Sequence, residues 1–159
     1  MNAVHLEMIK LGKKWQQELK RNPEAISFVL LGQKPENQLF ETYFKYQLSD
    51  EAKTNDVYLL YYQPFDNAAS YSESLIQELT FVYKQWQKEN DNSAEWKVES
   101  ITSSGQFIDS ILQFRNLYPQ LNSSRIFIHL APTSIEDAKA FELWALECGK
   151  RIEQTAATD

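Results

Sequence analysis

Glycine, histidine and cysteine are all scarce: the 159 residues hold 4 Gly, 2 His and 1 Cys. Each shortage excludes a chemistry. A nucleotide site needs a glycine-rich turn so that backbone N–H groups can approach phosphates. The turn Gly32-Gln33-Lys34-Pro35 has one glycine, and its proline removes a donor. It is neither a Walker-type loop nor a dinucleotide fingerprint. His5 and His129 lie near opposite ends of the chain, and with one cysteine they do not make a zinc site. No metal ligand set and no cofactor is expected. The lone Cys148 cannot close an internal disulfide, which fits a reducing compartment.

Long apolar runs are missing as well. No segment approaches the roughly 18 consecutive apolar residues of a spanning helix. Met1 to Arg21 alternates apolar with charged residues, unlike a signal peptide. The expectation is a soluble, cytoplasmic protein that does not engage a membrane. Basic charge is the minority: 16 Lys and Arg against 22 Asp and Glu leave a net charge of −6. Such a chain repels phosphate backbones, so nucleic acid is not an expected partner. The densest basic stretch, Lys10, Lys13, Lys14, Lys20 and Arg21, reads as the solvated face of one helix.

Periodicity gives nine elements in strict alternation. Val4, Met8, Leu11, Trp15 and Leu19 share one face of a first helix, stopped by Asn22-Pro23. Ile26–Leu31 reads as a buried strand, and a helix over Glu36–Leu48 follows. Asp56–Tyr62 is a second strand ending before Pro64. Tyr71, Leu75, Leu79, Val82 and Trp86 stripe a third helix, which Ser70 and Glu73 open with capping-box spacing. Trp96–Ile101 is a weaker, polar strand suited to a sheet edge. Phe107, Ile111, Phe114 and Tyr118 mark a helix capped by Ser103 or Ser104. Arg125–Ala131 is the last strand. Thr133 and Glu136 open a final helix carrying Ile135, Ala138, Phe141, Ala145, Cys148 and Ile152.

Strands alternating with helices indicate parallel pairing under helices on both faces. The expected fold is therefore a three-layer α-β-α sandwich around a four-stranded, mainly parallel sheet, a Rossmann-like or flavodoxin-like layout. Its strand order would be 3-2-1-4, with the third strand at an edge. Residues 1–154 form one domain, and 155–159 are a polar tail or the start of a linker.

In such a sheet, ligands bind beyond the carboxyl ends of the strands. Four loops should meet there, and their polar groups, Lys34, Asp66, Ser104 and Thr133, are the candidate ligand-binding residues. The competing reading makes Ser104 and Thr133 helix caps, Asp66 a turn residue and Lys34 a solvated side chain. Nucleophilic catalysis finds no base beside Cys148, which reads as a packed thiol, and no catalytic residue is assigned. His129 reads as a strand histidine. Asp56 and Asp66 bracket one strand, too far apart to share an ion at about 3.3 Å per residue.

Aromatics are abundant instead, at 13 % of the chain. Tryptophan and tyrosine carry disproportionate interface energy. Trp96, at the start of the polar strand, and Tyr58 and Tyr62 are the candidate contact residues. The leading expectation is a noncatalytic protein-interaction domain, an adaptor or self-associating module, and the N-terminal piece of a longer protein if the tail is a linker. Two alternatives stand beside it. One is a small-molecule or nucleotide-binding domain or hydrolase using the loop rim. The other is an acidic inhibitor or immunity-type protein that blocks a basic cleft.

Overall fold

Two short, largely apolar strands organise the molecule. The computed structural model describes residues 3–21, 34–47, 57–89, 101–117 and 126–156. Among them are helices α1 (Ala3–Arg21), α2 (Lys34–Gln47), α3 (Ala68–Glu89), α4 (Ser103–Leu117) and α5 (Ala138–Ala156). Strands β1 (Val57–Tyr61) and β2 (Ile126–Leu130) pair in parallel, Val57 opposite Ile126 through Tyr61 opposite Leu130. Because successive side chains point to opposite faces, the ribbon sends Val57, Leu59 and Tyr61 one way and Tyr58 and Leu60 the other.

The first face carries the main core. Leu75, Leu79 and Tyr83 of α3, Phe107, Ile111 and Phe114 of α4, and Trp144 and Cys148 of α5 are buried against it. Leu75 and Leu79 are fully buried, each worth about 1.5–3 kcal/mol over exposure. The Trp144 indole N–H donates to Ser72 Oγ at 2.8 Å, so the largest core side chain leaves no orphan donor. Ser104 and Asp109 of α4 meet Glu147 and Arg151 of α5, with Arg151 bidentate on Asp109 at 2.9 and 3.0 Å. The second face carries a smaller aromatic cluster. Tyr43 and Phe44 of α2 pack on Tyr58, with Leu11, Leu60 and Phe127 at its margin. Trp15 of α1 reaches Phe127 edge-on at 5.5 Å.

Three helices start on side-chain caps. The Ser70 N–H donates to Asn67 Oδ1 at 2.9 Å, the Gly105 N–H to Thr102 Oγ1 at 3.2 Å, and the Ala140 N–H to Asp137 Oδ1 at 3.0 Å. Ser70, Ser103 or Ser104, and Thr133 are therefore not the caps. Asn and Asp cap at least as well as Ser, and an S/T-x-x-E spacing arises easily by chance. At its far end α5 runs on to Ala156, Thr155 Oγ1 donating to the Ile152 carbonyl at 2.8 Å.

The expected four-stranded three-layer sandwich is overturned. The chain is mostly helical, and its described sheet is a two-strand parallel ribbon. The expected second and fourth strands are direct neighbours, so the order 3-2-1-4, which places the first strand between them, is excluded. Alternation reports which segments need burial but not how many strands must pair. Here α3, α4 and α5 meet that need on one face and α1 and α2 on the other. The expected strands over 26–31 and 96–100 lie outside the described residues. Ile101, just before α4, is unpaired and 95 % exposed.

Candidate functional site

The loops leaving β1 and β2 run side by side instead of opening a crevice. The Ala131 N–H donates to the Tyr61 carbonyl at 2.9 Å and the Thr133 N–H to that of Tyr62 at 3.2 Å. Further out the Phe65 N–H donates to Ser134, at 2.8 Å, and the Glu136 N–H to Phe65, at 3.1 Å. The Phe65 ring, fully buried, plugs the end of the ribbon, 5.1 Å from Phe141 and 5.2 Å from Tyr71. A binding crevice in an open sheet arises where the helices after neighbouring strands go to opposite faces. Here α3 and α5 cover the same face.

The candidate ligand residues do not converge. Asp66 and Thr133 are exposed on the two paired loops. Ser104 is buried on α4, donating to Glu147 Oε2 at 3.1 Å, ten residues into α5 and so about 15 Å along its axis. Lys34 opens α2, but its side chain lies outside the described residues, as does Trp96. Tyr58 is buried, stacked on Phe127 at 4.9 Å and edge-on to Phe44 at 5.1 Å, so a partner reaches it only by displacing α2. Tyr62 is half-buried beside the Glu41–Lys45 ion pair.

That corner holds the polar groups of the second face. Burial, then the Glu41 charge, raises the Tyr62 hydroxyl above its ordinary pKa. The ammonium of Lys45 holds the Glu41 carboxyl below its usual range. Burial lowers His129, against the opposing pull of Glu41, and its ring lies 5.3 Å from that of Phe44. On the first face, burial pushes the Cys148 thiol up to about 12, so at neutral pH it is a packing group and not a nucleophile. Among the described residues no group of three His, Cys, Asp or Glu is placed to hold a metal ion. No described helix is long and apolar enough to cross a membrane.

An open concavity lies between α1 and α2 among the described residues, with a volume of about 670 Å³. From α1 come Met8, Ile9, Gly12, Lys13, Gln16, Gln17 and Lys20, a stripe running about 18 Å along the helix. From α2 come Tyr43, Tyr46 and Gln47. Gly12 sets its depth: a Cβ there would stand 3.2 Å from the Tyr43 ring, tighter than ordinary contact. Ile9 and Tyr46 leave 39 % and 37 % of their surface to solvent, so the floor is apolar and wet. The chain matches no protein-family model, no curated protein and no solved structure.

Sequence reasoning missed this groove. It assigned Met8 to a core stripe and Lys13 and Lys20 to a solvated face, and passed over Ile9, Tyr46 and Gly12. One signal was available. Glycine inside a helix costs about 1 kcal/mol against alanine, so Gly12 called for a packing reason, which Tyr43 supplies.

Proposed function

We propose that this protein is a noncatalytic protein-binding module whose α1–α2 groove receives a helix from a partner. The observation that carries this reading is the groove itself: two helices of 19 and 14 residues flank an apolar floor that nothing in the described chain covers. Helix-in-groove recognition lays an amphipathic helix along such a floor through anchors at i, i+3, i+4 and i+7. A wall about 18 Å long matches some three turns of a ligand helix. The loop rim supports a small-molecule reading less well, because Phe65 closes it and its polar residues are dispersed.

The test is selection of displayed amphipathic helices of about 14 residues, roughly 21 Å long, on the purified chain. Ile9→Gln/Tyr46→Gln serves as the counter-target. Both side chains are partly exposed, so the double variant should keep its melting temperature. Enriched helices should share apolar residues at helical period and bind the variant about tenfold more weakly, in line with loss of about 1.4 kcal/mol of anchor contact. No enrichment, or equal binding to the variant, would overturn the reading.

A further inference from the structure

Resting on that reading of the groove, we propose that its occupant is an acidic amphipathic helix of a different protein, carrying two carboxylates seven residues apart that pair with Lys13 and Lys20. Among the described residues that line the groove, these lysines are the only charged ones. Neither forms an ion pair with a described residue, whereas Lys10 and Arg21 of the same helix are held by Glu7 at 2.6 Å and Glu18 at 2.9 Å. The groove is thus locally positive on a chain of net charge −6. Opposite charge along its wall selects an acidic ligand and disfavours a basic one.

Spacing adds a register. Lys13 and Lys20 stand two turns apart, about 10.5 Å along α1. A ligand helix lying along α1 has the same rise per residue, so carboxylates at i and i+7 meet both lysines from one flank. The adjacent apolar stripe then rests on Met8, Ile9 and Tyr46. The same spacing argues against a second copy as the occupant. The acidic residues of α1 are Glu7 and Glu18, of α2 Glu36 and Glu41, of α3 Glu73, Glu78 and Glu89, and of α5 Glu142, Glu147 and Glu153; α4 has only Asp109. No pair among them is seven apart.

The experiment holds one apolar stripe constant, taken from a selected helix, in a labelled peptide of about 16 residues, some 24 Å as a helix. Three versions carry Glu, Gln or Lys at the two flank positions. Each is titrated by fluorescence anisotropy against the wild-type chain and against Lys13→Glu/Lys20→Glu, at low salt and at about 0.5 M salt, where the screening length falls below 5 Å. The Glu peptide should bind wild type about fivefold more tightly than the Gln peptide. Salt should shrink that gap, and the charge-reversed variant should prefer the Lys peptide. Equal binding of the Glu and Gln peptides, or a preference that survives charge reversal, overturns the proposal while leaving the helix-binding reading standing. Failure of all three peptides on wild type sinks that reading itself. Sedimentation of the chain alone should give a monomer; an oligomer dissolved by the charge reversal would make a second copy the occupant and overturn the proposal.

Discussion

The two faces of the β1–β2 ribbon use the same aromatic materials to different ends. On the face covered by α3, α4 and α5, Phe65, Tyr71, Phe107, Phe141 and Trp144 pack edge to face or offset at 5.0 to 6.3 Å, and the Trp144 N–H finds Ser72. On the face covered by α1 and α2, aromatic packing is confined to a small cluster around Phe44 and Tyr58, bordered by an ion pair, a histidine and an open groove. The first face is a closed core in which Phe65, Tyr71, Leu75 and Leu79 are fully buried. The second, among the described residues, is sealed where α2 and Trp15 of α1 meet the ribbon and stays open between the two helices. A small domain that must stay folded while offering apolar surface to a partner can separate these duties in this way, each on its own side of the sheet.

Truncation tests that division most severely. Trp144→Ala should cost about 3–5 kcal/mol, through a cavity that cannot collapse and a stranded Ser72 hydroxyl. Phe44→Ala, on the more open face, should fall at the low end of that range, about 3 kcal/mol, because the smaller cluster around it can relax. Urea denaturation measures both, and equal losses would erase the distinction.

Titration should separate the faces next. Cys148 rises from 9.0 to about 12 and Tyr71 from 10.0 to about 12, both through burial, so each is kept protonated in the fold. The unfolded chain loses those protons first. Stability should therefore be fully present below pH about 9 and fall as pH climbs toward about 12. His129 is shifted down by burial, so the unfolded chain gains its proton first on acidification. Its contribution is present above pH 6.5 and lost as pH falls below that. A melting profile with His129→Gln should flatten the acid limb and leave the alkaline limb unchanged; an unchanged acid limb would show that His129 is not its source. The smallest effect belongs to the caps, which serve only the first face. Asp137→Ala and Asn67→Ala should each cost about 1 kcal/mol, read as a drop in melting temperature, and should leave helix binding in the groove untouched.

Much of the first face was legible from periodicity. The strands fall within a residue of their expected limits. Tyr71, Leu75 and Leu79 of α3 and Phe107, Ile111 and Phe114 of α4 are buried as their spacing required. The misses come from a choice between three and four. After Leu79 the four-residue step leads to Tyr83, which is 2 % exposed, whereas Val82, one residue short, is 40 % exposed. In α5 the inward line is Phe141, Trp144, Cys148 and Ile152, so Ala145 faces outward and Trp144 becomes the centre of the core. The pairing of the second and fourth expected strands was not legible. It depends on which faces the connecting helices cover, a property no single segment carries. The groove was hidden for the same reason: Met8, Lys13 and Tyr46 have ordinary local neighbours, and only the approach of α2 at Gly12 turns them into one wall.

The direct pairing of Val57 with Ile126 also sets the order in which the protein can assemble. β1 leaves the ribosome about seventy residues before its only described neighbour, and closing so long a loop is slow compared with forming a helix pair. Contacts between α1 and α2 and between α3 and α4 are close in the chain and available before the strands can pair. The nascent protein must therefore carry the Val-Tyr-Leu-Leu-Tyr strand without this described neighbour until β2 emerges. The interval just before synthesis of Ile126–Leu130 is when it is most exposed to aggregation and most in need of a chaperone.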